Sequence, residues 1–451
     1  MKEIFLYEWE WTKLPEGINP RELQAYLAEV WASKNLLYNQ EDEVEETEED
    51  ISDLKRYKQG FLRFDGNFIS AKNYVGFIQY DGYAINILPK VFKNSFPNPV
   101  EYIETITSNL LHWLKFSKRI QFPFSEVSYE EQKFNDFLEP FIYIFSAYTN
   151  RLLESLPYQR FEEVTETTTF LKGRLAIKDY IKESLSTGNF QRIISTYDTF
   201  QFDNKFNRII KCVSKLLLQN TNNDYSIERL QNILFILDEV EDGLYTSNDC
   251  DTIEFNKIYS EWNSILNMSR MFLANQAFKN QQLQKPNFCF LVPMELIFEE
   301  YIAGILEVYG TKKILTQGAG GRKYLTEEKL FMLKPDIIYP GSMILDTKYK
   351  LLAEEDDTNK YNIAQSDLYQ MLAYAVRYKI KKICLMYPYF ESIETITKTK
   401  NLKTYYIKEE FSDTTVQITI MMVLFGSVNN DYNTHDENLV SKLEVFQNTV
   451  H

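Results

Sequence analysis

The sequence predicts an α+β multidomain chain with three sections: a β-rich mixed domain over residues 1–95, a mainly helical middle over 96–288, and an α/β domain over 289–451. Two observations predict this. Asp-Gly punctuation between apolar runs marks β-hairpins early in the chain. The apolar spacing then turns helical near residue 100 and becomes a strand–helix alternation after about residue 290.

Near the N-terminus, residues 41–53 open with Glu41-Asp42-Glu43-Val44-Glu45-Glu46-Thr47-Glu48-Glu49-Asp50, a solvated loop or helix face. Two hairpins follow. Phe61–Phe64 and Phe68–Ser70 flank Asp65-Gly66-Asn67, and Tyr74–Tyr80 and Tyr83–Leu88 flank Asp81-Gly82. Helical spacing then covers Val100–Phe116, Phe134–Leu153, Phe206–Leu218, Ile227–Val240 and Phe255–Phe278, with a short non-helical stretch at Thr165–Leu175. In the last section, Pro293 opens a helix through about Val308, where proline suits a first turn. Strands are expected at Lys313–Thr316, Leu330–Tyr339 and Met343–Leu351. A helix capped by Ser366 or Asp367 then runs to about Tyr378, and a strand from Ile383 is stopped by Pro388. Gly318-Ala319-Gly320-Gly321 reads as a mobile loop near DNA or a plain connector, since it lacks the phosphate-loop pattern.

Composition narrows the chemistry. A hydrophobic fraction of 44% and an aromatic fraction of 15% describe a globular chain. No apolar run reaches the roughly 18 residues of a membrane span, and the N-terminus has no signal core, so a cytoplasmic protein is expected. Four dispersed cysteines and three histidines leave no zinc or disulfide pattern, so a metal here would be held by carboxylates, which points to Mg²⁺ or Mn²⁺. A net charge of −15 argues against a wide basic grip on nucleic acid, though not against a local groove or delivery by a partner.

The candidate site is Pro335-Asp336 with Asp346-Thr347-Lys348. A hairpin that pairs Tyr339 with Met343 puts Asp336 opposite Asp346. Alternation then puts Asp346, Lys348 and Lys350 on one face and Leu345, Thr347 and Tyr349 on the other. A buried carboxylate pair is costly without a cation between the groups, and the lysine can hold a water or stabilise phosphate charge. This is the pattern of a metal-dependent nuclease. Gln370 and Tyr374, four apart, share a face of the next helix, and Glu299 on the preceding helix is a candidate extra metal ligand. A plain surface hairpin would carry the same charges facing solvent. No Walker A motif occurs, so the chain is not itself an NTPase motor.

These segments together resemble the McrC family, the nuclease subunits of McrBC-type and LlaJI-type modification-dependent restriction systems. The resemblance runs through Tyr74-Val75-Gly76-Phe77-Ile78 with Ile87-Leu88-Pro89-Lys90, Leu171-Lys172-Gly173-Arg174-Leu175, and Phe202-Asp203-Asn204 to Lys211. It continues through Phe298-Glu299-Glu300-Tyr301, Leu333 to Ile337, Leu345 to Lys350, and Asp367 to Tyr374. It implies a PD-(D/E)xK, restriction-endonuclease-like domain with Asp336 and Asp346 as metal ligands and Lys348 as catalytic lysine. It also implies an McrB-like AAA+ GTPase hexamer as partner, docked by residues 1 to about 160, and modified double-stranded DNA as substrate. Arg63, Lys72 and Lys90 are candidates for stimulating that GTPase, with no motif selecting one. Two other readings stay open: a non-catalytic assembly factor and GTPase activator, and a stand-alone DNA-processing nuclease.

Overall fold

In the computed structural model, residues 2–38, 59–118, 123, 134, 137–274, 288–316, 323–352, 361, 363–390, 400–409, 414–428 and 431–448 are described. The acid run and the Gly318–Gly321 segment lie outside these residues.

The chain forms two compact units. One comprises residues 1–121, 130–138 and 275–451, and the other residues 122–129 and 139–274. The division at 95 and 288 read from spacing is therefore replaced by an insertion: the first and last parts of the chain share a unit. The first unit begins with β1 (Lys2–Tyr7), β2 (Trp11–Lys13), α1 (Pro20–Tyr38), β3 (Leu62–Asp65), β4 (Phe68–Ala71), β5 (Tyr74–Tyr80), β6 (Tyr83–Leu88) and α2 (Pro99–Leu114). Both hairpins form where the Asp-Gly signals stand, with Asp65 paired to Phe68 and Tyr80 to Tyr83.

The inserted unit holds α3 (Glu139–Ser155), β7 (Arg160–Thr168), β8 (Arg174–Leu175), β9 (Ile193–Gln201), α4 (Lys205–Leu218), α5 (Asp224–Ile236) and α6 (Trp262–Ala274). Its helices match the spacing, but β7, β9 and β8 form a sheet where only a short non-helical stretch was expected. The β7 sequence, Arg-Phe-Glu-Glu-Val-Thr-Glu-Thr-Thr, carries few apolar residues, so hydropathy gave little sign of a strand. Two of the family-like motifs turn out to be structural here. Asn204 caps α4 by accepting from the Asn207 amide at 3.1 Å, Asn207 Nδ2 donates to the carbonyls of Tyr158 and Phe202, and Arg208 forks onto Asp203. Gly173 sits at φ 65°, and a Cβ there would lie 2.6 Å from the Thr196 carbonyl oxygen.

The chain returns to the first unit with β10 (Phe288–Pro293), α7 (Met294–Tyr309), β11 (Leu315–Thr316), β12 (Lys323–Tyr324), β13 (Met332–Leu333), β14 (Ile337–Tyr339) and β15 (Met343–Thr347). It ends with α8 (Gln365–Tyr378), β16 (Lys382–Tyr389), β17 (Lys400–Glu409), β18 (Thr414–Leu424) and α9 (Tyr432–Asn448). Strand β10 completes the N-terminal sheet, in the order β1-β6-β5-β10. Leu291 crosses Gly76 in that pairing, and a Cβ on Gly76 would lie 2.1 Å from the Phe290 carbonyl oxygen. The Val-Gly of the motif is thus a site of close backbone approach.

The second large sheet has the order β11-β14-β15-β16-β18-β17. The β15–α8–β16 unit is a parallel crossover, and Ile344, Met371, Ala375, Ile383, Leu385, Ile418 and Ile420 pack into its core. The expected stretch Leu330–Tyr339 is broken into β13 and β14, and Met343–Leu351 shortens to β15. Pro388 does not stop β16, which continues to Tyr389. Met386 offers its carbonyl to Lys348 on the β15 side, so two residues on, the missing N–H of Pro388 faces a side that β15 has already left. Among the described residues no helix is long and apolar enough to cross a membrane.

Candidate active site

The hairpin of β14 and β15 pairs Tyr339 with Met343, Ile338 with Ile344 and Ile337 with Leu345, the register expected from the sequence. Asp336 stands one residue before β14 and Asp346 one residue before the end of β15, so the same register brings the two acids together. Both are buried, at 8% and 2% exposure. Asp336 Oδ2 accepts from the Thr347 amide at 2.7 Å and from Thr347 Oγ1 at 2.7 Å. Strict alternation had put Thr347 on the opposite face; because Asp336 precedes β14 and β15 ends at Thr347, the pleat does not govern this contact.

Asp346 Oδ2 lies 2.8 Å from Lys348 Nζ, yet this buried oxygen takes no hydrogen bond of good geometry. Burial, reinforced by the charge of Asp336, pushes the Asp346 carboxyl up to about 8, although Lys348 pulls the other way. Burial also works against the charge on Lys348, but Asp346 beside it outweighs that and raises the lysine.

The helix behind the strand explains the Gln-x-x-x-Tyr spacing. Lys348 Nζ donates to Gln370 Oε1 at 3.0 Å, Gln370 Nε2 donates to Tyr374 Oη at 3.0 Å, and Tyr374 Oη donates to the Lys334 carbonyl at 3.1 Å. One chain of bonds therefore runs from the lysine back to the residue before Pro335-Asp336. The four-residue spacing on α8 stacks Gln370 under Tyr374 so that both reach it.

Glu299 is half-buried on α7. Among the described residues no group of three or more His, Cys, Asp or Glu side chains is arranged to hold a metal ion, so Glu299 is not brought into a three-carboxylate set with Asp336 and Asp346. Asp367, read from sequence only as a possible cap, is the acid that instead approaches the site. Ala364 holds the cap position of α8, and Asp367 Oδ2 takes Lys350 Nζ at 3.1 Å. Its charge also contributes to raising both Asp346 and Lys348. The Asp-x-x-Gln spacing was the available signal, since it puts Asp367 one turn before Gln370. The two buried carboxylates, side by side across the hairpin, suit a hard divalent cation that takes its remaining ligands from water and phosphate.

Of the three candidate cations for stimulating a partner, Lys90 is committed inside the chain: its Nζ donates to Asn73 Oδ1 at 3.1 Å and to the Tyr349 carbonyl at 2.9 Å. Arg63 is exposed, its guanidinium 4.6 Å from the Trp9 ring centre. Lys72 is half-buried.

The family model for the McrBC 5-methylcytosine restriction system component matches residues 69–388. The chain belongs to this family. The match spans every motif described above except the N-terminal strands and the last strands and helix. Among solved structures, a chain from the Thermococcus gammatolerans assembly of McrB AAA+ hexamers with bound McrC is similar at TM-score 0.70 and 17% identity, with 99% of this chain and 100% of that chain covered. A chain of the Thermococcus gammatolerans McrBC complex is similar at TM-score 0.50 and 18% identity, with 69% and 89% covered. No curated sequence matches the chain. The likeness to McrC drawn from the motifs thus holds for family and for fold.

Proposed function

We propose that the chain is the cutting subunit of a modification-dependent restriction complex, a Mg²⁺- or Mn²⁺-dependent endodeoxyribonuclease of the PD-(D/E)xK class. The observation that carries this reading is the buried acid pair Asp336 and Asp346 with Lys348 Nζ 2.8 Å from Asp346 Oδ2. A carboxyl whose charge is disfavoured first by burial and then by the acid beside it is costly as structure alone and well suited to receiving a divalent ion.

Asp336 and Asp346 would hold the metal, which when bound supplies Lewis-acid stabilisation of charge on a phosphodiester. Thr347 orients Asp336 through two hydrogen bonds. Lys348 sets a positive charge where charge on phosphate oxygen develops. Gln370 and Tyr374 hold that lysine in place. With so acidic a chain and no phosphate loop, DNA reading and nucleotide hydrolysis fall to a partner. Family and fold favour an McrB-like AAA+ GTPase hexamer acting on modified double-stranded DNA, in the cytoplasm.

The test mixes the protein with its AAA+ partner, methylated or unmethylated DNA, Mg²⁺, and GTP or ATP. Cleavage of methylated DNA that needs the partner and nucleotide is expected. Asp346→Ala should abolish cutting and leave stimulation of the partner's NTPase intact; cutting by that variant would refute the site.

A further inference from the structure

Glu8, Asn73, Lys90, Glu295 and Tyr349 come from five separate segments of the first unit and meet just past Lys348, which follows the strand that carries Asp346. Lys90 closes the Ile87-Leu88-Pro89-Lys90 motif, to which the nuclease chemistry gives no task. Besides its bonds to Asn73 and the Tyr349 carbonyl, its Nζ lies 4.3 Å from the centre of the Tyr349 ring. The Lys90 amide donates to Glu8 Oε2 at 2.9 Å, and Tyr349 Oη donates to the same oxygen at 2.8 Å. Asn73 Nδ2 donates to Glu295 Oε1 at 2.6 Å. Glu8 and Tyr349 are 2% and 3% exposed, and Glu8 Oε1 is buried without a hydrogen-bond partner.

Such a cluster is a poor way to gain stability. Burying a carboxylate such as Glu8 and drawing an ammonium partly out of water beside it is costly before their attraction is counted, and packed apolar residues often do as well. What the cluster achieves is geometric. Tyr349 is gripped at both ends, its carbonyl by Lys90 and its hydroxyl by Glu8. Only Lys348 separates it from the end of β15. The Lys348 amide is held by the Met386 carbonyl at 2.8 Å, and the Lys348 carbonyl accepts from the Lys350 amide at 2.8 Å. The lysine backbone is therefore pinned by the sheet on one side and by the gripped tyrosine on the other, which leaves its side chain the reach to Asp346 and Gln370.

We infer that Lys90 is a positioning residue for the cutting site, clamping Tyr349 together with Glu8 and so setting Lys348 against Asp346; this rests on the nuclease reading. It makes the N-terminal sheet part of the cutting machinery, because Glu8, Asn73 and Lys90 all belong to it or to its loops.

The test uses the full chain with its AAA+ partner. Lys90→Met, Lys90→Arg and Tyr349→Phe are compared with wild type for cleavage of methylated DNA across a Mg²⁺ series, for stimulation of the partner's NTPase, and, on the chain alone, for Mn²⁺ binding by calorimetry. Lys90→Met should cut at least tenfold more slowly, with the Mg²⁺ midpoint raised several-fold and NTPase stimulation within twofold of wild type. Lys90→Arg should recover part of the rate, and Tyr349→Phe, which loses one bond of the clamp, should shift the Mg²⁺ midpoint in the same direction. Wild-type rates and midpoints in both Lys90→Met and Tyr349→Phe would overturn the inference. So would loss of cutting and NTPase stimulation together in Lys90→Met with no recovery in Lys90→Arg, since that marks a purely structural role. If wild type does not cut, and Asp346→Ala binds Mn²⁺ as wild type does, the nuclease reading itself fails and the inference falls with it.

Discussion

Replacing Asp346 by Asn in the metal-free protein should change how stability depends on pH. The Asp346 carboxyl is raised from 3.8 to about 8 by burial and by Asp336. Below about pH 4 both folded and unfolded chains carry the proton, and the site has no effect. Between about pH 4 and 8 the folded chain keeps a proton that the unfolded chain has lost, so stability falls by about 1.4 kcal/mol per pH unit. Above pH 8 the full penalty, on the order of 5 kcal/mol, is in place. Asn carries no such proton, so Asp346→Asn should be progressively more stable than wild type as pH rises. For a protein of this size, about 2 °C accompanies each kcal/mol, so the gap in melting temperature should widen by about 5 °C between pH 6 and 8. Thermal melts of both proteins in EDTA at pH 6, 7, 8 and 9 measure it. In wild type, Mn²⁺ binding at pH 7 should also release close to one proton, visible by calorimetry in buffers of different ionisation enthalpy. A melting difference that stays constant from pH 6 to 9 would refute the argument that Asp346 is held protonated near neutrality.

Three further outcomes follow from the structure. Tyr374→Phe removes the hydroxyl that joins Gln370 to the Lys334 carbonyl, and with it two hydrogen bonds; denaturation should show a loss of about 1–3 kcal/mol, and cutting should slow more than tenfold. Gly76→Ala places a Cβ 2.1 Å from the Phe290 carbonyl oxygen at φ 138°, so it should cost more than about 3 kcal/mol by separating β5 from β10, seen as faster amide exchange across Cys289–Val292. Asn204→Ala removes the cap of α4 and should cost about 1 kcal/mol in chemical denaturation without altering Mn²⁺ binding, since the cap lies in the inserted unit.

Much of the site was legible because its logic is local. The hairpin register follows from a three-residue loop between two apolar runs, and a four-residue spacing places Gln370 and Tyr374 on one helix face. What spacing could not show was reach. Glu299 has the right residue type on a plausible helix, but helix phase fixes only a direction. Asp367 looked like a cap because Asp near a helix start usually is one, whereas the observed cap position is taken by Ala364.

By itself, then, the sequence determined the hairpin that pairs Asp336 with Asp346, the lysine beside them, the crossover helix and the family. The site elements rest on periodicity and turn chemistry within about forty residues, and the family on motifs spread from Tyr74 to Tyr374. The tertiary structure decided what depends on distant segments: that β10 belongs to the N-terminal sheet, that residues 139–274 form an inserted unit, and that Lys90 closes on Tyr349. Hydrogen bonds and burial between residues hundreds of positions apart leave no period in a sequence. They arise only when the first and last parts of the chain fold into one unit, and that closure is what buries Glu8 and brings Lys90 beside the segment that bears the candidate catalytic lysine.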